Sequence, residues 1–318
     1  MSLLEVRDLN VWYAIDGGHS HAVRGIDITL NPGDRVGLVG ESGCGKTTAL
    51  MAMMGLLPPG SYVDGQLLLD GENLLAGGEA TLRPHRWTDL ALVFQGAMNA
   101  FNPVRRIEDQ IVEPMLLHRV GAASEARGRA RELLELVGIP AAAGRRFPHE
   151  LSGGMRQRAM LAMALSCRPR VLIADEPTTA LDSMVQAQIL ELLRSLSDEL
   201  GLALLLVTHD LPVVSQVCDR AAVMYAGEVV ESGPVAGLVH DPRHPYTRLL
   251  FEATPDLHED RAVVSIPGTP PRLDVAIDGC AFAGRCDVVM ERCHHLAPTV
   301  TEAGPGRTAR CLRLKAVR

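Results

Sequence analysis

Residues Gly40 to Thr47 spell Gly-Glu-Ser-Gly-Cys-Gly-Lys-Thr, a fit to G-x-x-x-x-G-K-[ST]. Glycines at that spacing let a loop turn its N–H groups onto phosphate oxygens at a helix N-terminus. Lys46 can then reach the β- and γ-phosphates, and the Thr47 hydroxyl can bind Mg²⁺. Gly40, Ser42, Gly43, Cys44, Gly45 and Thr48 complete this candidate phosphate loop. Of 31 basic residues only Lys46 and Lys315 are lysine, so the loop position is one that needs an ammonium group. The implied ligand is a nucleotide. Its use stays open at this point, because kinases, GTPases and motors share the motif.

Val171 to Glu176 is an apolar run ending in two acids. Asp175 suits Mg²⁺, and Glu176 suits polarisation of the attacking water as general base. Ser152, followed by Gly153, Gly154 and helix-forming residues, offers a second anion site made of a hydroxyl, open backbone N–H groups and a helix dipole. A third chemistry sits near the end: Cys280, Cys286, Cys293 and Cys311 are four of the seven cysteines, spaced C-x5-C-x6-C-x17-C. That spacing is wider than the pairs usual in structural zinc sites. Four thiolates suit an iron–sulfur cluster, although the pattern is not a ferredoxin one. Zinc, with His294 or His295 replacing a cysteine, and free or disulfide-linked thiols stay open as alternatives. Cys167 and Cys218 read as core residues. Cys44 is a small loop side chain whose helix-end location points to sensitivity to alkylation.

These groups need elements to hold them. Leu4 to Tyr13 alternates as a half-exposed strand and is followed by the Asp16-Gly17-Gly18 turn signal. Ile26 to Leu30 and Arg35 to Val39 read as strands, and Ala49 to Leu57 as the helix after the glycine loop. Gln66 to Leu69 and Leu90 to Phe94 read as strands, whereas Ile107 to His118, Ser124 to Val137 and Gly154 to Leu165 have helical spacing. Val171 to Ala174, Leu202 to Thr208 and Ala221 to Tyr225 alternate with a helix at Val185 to Leu196, the pattern of a mainly parallel sheet. A helical insertion thus interrupts an α/β core. After about Leu250 periodicity fades and Pro and Gly become frequent, which implies a small appended unit.

Composition bounds the rest. With 318 residues, 47% of them apolar, the chain can bury a substantial core. A formal net charge of −7 lacks the basic excess expected of sequence-independent nucleic-acid binding. No run approaches the ~20 apolar residues of a membrane helix. The start shows no basic region followed by a long apolar stretch, so a cytosolic compartment is expected.

Leu151-Ser152-Gly153-Gly154-Met155-Arg156-Gln157 resembles the LSGGQ-type signature of ATP-binding-cassette (ABC) ATPases. Further residues stand in that family's order. Tyr13 resembles the aromatic that stacks on adenine, and Gln95 in Val-Phe-Gln the Q-loop glutamine that also contacts Mg²⁺. Ala180-Leu181-Asp182 resembles the D-loop, and His209 in Val-Thr-His-Asp the switch histidine. Met155 stands where many members have glutamine. The resemblance implies an α/β ABC-type P-loop ATPase with a RecA-like parallel-sheet core, an antiparallel β subdomain, a helical signature subdomain at about 96–165 and a small Cys-rich C-terminal tail. Residues 1–250 would be the ATPase domain and 251–318 the extension. It also implies that Ser152, Gly153, Gly154, Gln157 and Asp182 close over the ATP of an opposite subunit, with Glu176, His209 and Lys46 as the hydrolytic set.

Phe101-Asn102-Pro103, Pro148-His149-Glu150, the run from Ala180 to Ile189, His244 to Leu250 and Ile266 to Pro271 resemble the dipeptide, oligopeptide and nickel importer ATPases. That resemblance implies an ATPase that powers peptide import from the cytoplasmic face of the membrane. Its partners would be a second, homologous ATPase subunit in a heterodimer, two transmembrane permease subunits and an extracytoplasmic peptide-binding protein, with no nucleic acid. It favours a [4Fe–4S] cluster on the four tail cysteines. Alternatives are a nickel or other small-solute importer and, from another class, an ABC ATPase acting on DNA or ribosomes. The latter usually brings tandem cassettes, a long coiled coil or a basic element, and this sequence has none of these.

Overall fold

The computed structural model describes residues 2–94, 96, 100–179, 181–253 and 265–314. Among them β1 (Leu4–Ile15), β2 (Gly18–Leu30) and β3 (Arg35–Val39) precede α1 (Lys46–Met53), β4 (Tyr62–Leu69) and β5 (Glu72–Asn73). The middle holds α2 (Glu79–Leu82), β6 (Leu90–Val93), α3 (Ile107–Leu117), α4 (Ala126–Leu136) and α5 (Gly153–Ala164). Next come β7 (Val171–Asp175), α6 (Ser183–Leu200), β8 (Ala203–Thr208), α7 (Leu211–Val217) and β9 (Arg220–Tyr225). The last part carries β10 (Glu228–Pro234), α8 (Val235–His240), α9 (Pro245–Glu252), β11 (Thr301–Gly304) and β12 (Arg307–Ala309).

The chain divides into two compact units, one of Met1–Leu30, Arg35–Ala76 and Val207–Arg318, the other of Asn31–Asp34 and Gly77–Leu206. In the first, an antiparallel sheet runs in the order β2-β1-β4-β5. β1 buries Leu4 and Val6, then Leu9 and Val11, two period-of-two pairs separated by the strand irregularity at Asp8. β2 extends well upstream of the expected Ile26 start, because His19, Ser20 and His21 pair with β1 without adding apolar signal. A second sheet runs β11-β12-β10-β9-β3 in this unit. β3 pairs with β9 in parallel, and both are buried almost throughout, as strands covered on two faces must be.

The tail is knitted into this sheet. β12 pairs antiparallel with β10, through Glu231↔Ala309 and Ser232↔Thr308. Glu231 is fully buried and accepts from Arg307 Nη2 at 2.9 Å and from the backbone N–H groups of Arg243 and His244. Neither β10 nor the β11–β12 hairpin was visible as periodicity, since short strands rich in Glu, Gly and Thr carry little apolar alternation.

The second unit contains β6 and β7, paired in parallel, and the start of β8, whose Ala203 N–H donates to Arg170 O at 3.0 Å. Helices α3, α4 and α5 pack on one another around Ile107, Ile111, Leu133, Leu134 and Met160, as the helical spacing predicts. α6 begins at Asp182 and stops at Gly201, whose φ of 65° gives the left-handed close typical of glycine.

Candidate functional site

In the first unit the phosphate loop links the buried β3 to α1. Gly45 at the N-cap has φ 105°, and a Cβ there would lie 2.5 Å from Ala22 O, so only glycine fits. Lys46 is 6% exposed. Its Nζ donates to Gly40 O at 2.7 Å and Glu41 O at 2.9 Å, which holds the ammonium across the loop. Ser42, Gly43 and Thr47 are exposed at the loop surface. Tyr13, half-buried, donates from its hydroxyl to Thr48 Oγ1 at 3.2 Å, bringing the β1 aromatic to the first turn of α1. Cys44 is buried, and burial pushes its thiol up, with the Lys46 charge opposing. The expected alkylation sensitivity is therefore corrected: a protonated, enclosed thiol is a poor nucleophile. Cys167 and Cys218 are buried as expected, and burial pushes the Cys218 thiol up to about 12.

Sequence reasoning missed what surrounds Glu41, the second residue of this loop. Its backbone N–H donates to the Tyr246 hydroxyl at 2.9 Å. Its carboxylate takes both arms of Arg285, Nη1 to Oε2 at 2.6 Å and Nη2 to Oε1 at 2.9 Å. Arg285, 7% exposed, also donates from Nε to Pro267 O at 2.8 Å and lies over the Tyr225 ring. Tyr225, Tyr246 and Phe282 form an aromatic cluster with centroids 4.6 to 5.4 Å apart. The one sequence hint was an acid inside an anion-binding loop, which needs a partner.

His209, also in this unit, is exposed just after β8, at the strand end where a switch histidine was expected. Gln95 and Ala180 lie outside the described residues.

The second unit holds the acids and the signature. Asp175, 4% exposed, ends β7. Glu176 follows with φ 44°, a left-handed backbone rare for a non-glycine residue, and its Oε2 accepts from Thr179 Oγ1 at 3.0 Å. Strain of this kind gathers where a side chain must be aimed. Ser152 caps α5, its Oγ accepting from Met155 N at 3.3 Å, and Asp182 caps α6 by accepting from Val185 N at 3.0 Å. A Cβ on Gly154 would meet Val185 Cγ1 at 2.6 Å, so the second signature glycine permits close approach of α5 and α6. Gln157 is buried, whereas Ser152 is exposed and Gly153 and Gly154 are half-exposed.

The four tail cysteines are free thiols, and Cys280 N–H donates to Cys293 O at 2.7 Å. Burial, with the charges of Cys293, Cys311 and Cys286 adding to it, pushes Cys280 up to about 11. Among the described residues, no three His, Cys, Asp or Glu side chains are arranged to hold one metal ion. No helix among them is long and apolar enough to cross a membrane.

A phosphate loop between a buried parallel strand and a helix defines a P-loop nucleotide-binding protein, and the capped signature helix α5 beside it in the sequence pattern points to the ABC cassette class. The ABC transporter family model matches residues 23–179, and the model for the oligopeptide/dipeptide transporter C-terminal region matches 230–293. A "Probable peptide ABC transporter ATP-binding protein" of Sinorhizobium fredii is 42% identical over 98% of this chain and 95% of its own length. A "Probable D,D-dipeptide transport ATP-binding protein" of Escherichia coli is 45% identical over 95% of this chain and 93% of its own. Among solved structures, a dimeric bacterial ABC transporter cassette superposes with TM-score 0.65 at 27% identity, over 73% of this chain and 98% of that one. A post-hydrolysis cassette dimer bound to ADP and Pi gives TM-score 0.65 at 28% identity with the same coverage. The chain belongs to the ABC transporter ATP-binding proteins that carry the oligopeptide/dipeptide transporter C-terminal region. It is an ATP-binding, ATP-hydrolysing cassette.

Proposed function

We propose that this subunit powers the import of di- and oligopeptides through a separate membrane permease. The observation that carries the reading is one chain joining the ABC cassette to the oligopeptide/dipeptide transporter C-terminal region. The relatives named for peptide and dipeptide transport support it over a nickel importer or an ATPase of DNA or ribosomes. Residues 1–250 serve as the ATPase domain and 251–318 as its extension. The partners are a second, homologous ATPase subunit, two transmembrane subunits and an extracytoplasmic peptide-binding protein, and the chain works at the cytoplasmic face of the membrane.

In this reading Lys46 and the loop N–H groups hold the phosphates, and Tyr13 meets the adenine. Thr47, Asp175 and Gln95 would hold Mg²⁺, which would screen the phosphate charge. Glu176 takes the proton of the attacking water, with His209 beside the γ-phosphate. Ser152, Gly153, Gly154, Gln157 and Asp182 complete the site of the opposite subunit. Glu176→Gln is expected to lower hydrolysis about a thousandfold while nucleotide binding persists. Unchanged turnover in a phosphate-release assay would remove Glu176 as general base.

Cys280, Cys286, Cys293 and Cys311 suit a [4Fe–4S] cluster better than zinc. The support for this is the donor chemistry, four cysteines in one short tail at a spacing wider than that of structural zinc pairs. Bound there, the group would staple a segment with little apolar content. Iron and acid-labile sulfide in anaerobically purified protein are the expected finding. Stoichiometric zinc without iron would refute it.

A further inference from the structure

The phosphate loop carries an acid where it should least want one. A nucleoside triphosphate brings about four negative charges to a ring of backbone N–H groups, and a bare carboxylate on the same loop would repel them. Glu41 is that carboxylate, yet all three of its polar groups are engaged. Its N–H donates to the Tyr246 hydroxyl, its carbonyl accepts from Lys46 Nζ, and its carboxylate is gripped at both oxygens by Arg285.

We infer that Arg285 is a positioning residue for nucleotide binding: it neutralises Glu41 and fixes the phosphate loop, so that affinity for Mg·ATP depends on the cysteine-bearing tail. Three observations carry this. The bidentate fork is the geometry by which a guanidinium recognises a carboxylate most strongly. The pair is largely enclosed, with the Arg285 side chain 6% and the Glu41 side chain 24% exposed, so solvent screens it little. Arg285 is itself held, by Pro267 O through Nε and by packing on Tyr225 and Phe282, so the fork is aimed before any ligand arrives.

The position of Arg285 in the chain gives the contact its meaning. It closes the short turn Ala283–Arg285, directly before Cys286 and five residues after Cys280. Whatever fixes those cysteines fixes the turn that presents the guanidinium. The tail thus reaches the phosphate loop through the Arg285 guanidinium, and no residue of the tail has to touch the nucleotide.

The inference rests on the reading of Gly40 to Thr47 as the phosphate loop, and the experiment separates the two. Equilibrium binding of Mg·ATP and steady-state hydrolysis are measured on the full-length chain, in the assembled transporter where turnover requires it. Arg285→Ala is expected to weaken ATP binding and raise KM about tenfold, with kcat at saturation changed less than about threefold. Adding Glu41→Gln to it removes the exposed charge and should return the affinity to within about threefold of the parent. Parental affinity in Arg285→Ala overturns the proposal, and so does a double variant as weak as the single one. Should Arg285→Ala not fold, Arg285→Lys and Arg285→Gln carry the same comparison: lysine should bind ATP better than glutamine, and equal affinities overturn the proposal. Lys46→Ala is the control: if it keeps parental affinity the phosphate-loop reading itself falls, whereas its loss beside an unaffected Arg285→Ala sinks only the positioning role.

Discussion

Two helices begin at glycine-rich segments, and their N-termini are finished differently. α1 starts from Gly45, which has no side chain to offer, and gathers the Lys46 ammonium at its first turn. α5 starts from Ser152, whose hydroxyl already accepts the Met155 amide. An uncapped end keeps its first amides for an outside anion, while a capped end has used one on its own chain. The loop before α1 is thus built as the primary anion site, and the Ser152 end as one whose hydroxyl must be shared between cap and ligand. α9 is a third case. Its cap is His244, whose Nδ1 accepts from Tyr246 N at 3.0 Å, and this cap can titrate.

The largest effect on this contrast should come from acid. His244 is almost fully buried, and burial pulls its pKa down to about 4, with a backbone bond to Arg310 opposing. Between about pH 6.5 and 4 the unfolded chain binds the proton and the folded one does not, so stability falls as pH falls through that window. The full loss is about 3 kcal/mol, the free-energy equivalent of that shift, because a charged imidazolium is costly to bury. Melting temperature against pH should flatten in His244→Asn, which keeps an acceptor and cannot titrate. An equally steep variant would show that the acid sensitivity lies elsewhere. Ser152→Ala is expected to act more gently, lowering unfolding free energy by about 1 kcal/mol through the lost cap. Nucleotide binding by the isolated subunit should fall far less than in Lys46→Ala. Equal losses, read by nucleotide titration of the two variants, would erase the distinction between the two helix ends.

The parts of this molecule that could be read in advance are those where chemistry or burial restricts residue choice. β3, β7 and β8 are apolar runs because both faces are covered, and their boundaries fall within a residue or two of those expected. The phosphate loop is legible because glycine geometry and a lone ammonium leave few substitutes. β10 and β12 were not legible, because their pairing is made by backbone groups and by a buried Glu231–Arg307 contact between residues 76 apart. The grip of Arg285 on Glu41 spans 244 residues and uses two residue types that ordinarily sit in solvent. Gly154 was read for anion binding, whereas the structure adds a second reason for it in the close seat of Val185.

The late position of β12 has a consequence for synthesis. Arg307 is synthesised 76 residues after Glu231, and until it arrives Glu231 lacks that guanidinium and β10 lacks β12 as its neighbour. A product lacking β12 therefore displays an open sheet edge, a template for pairing with other chains, and a buried acid without its counter-charge.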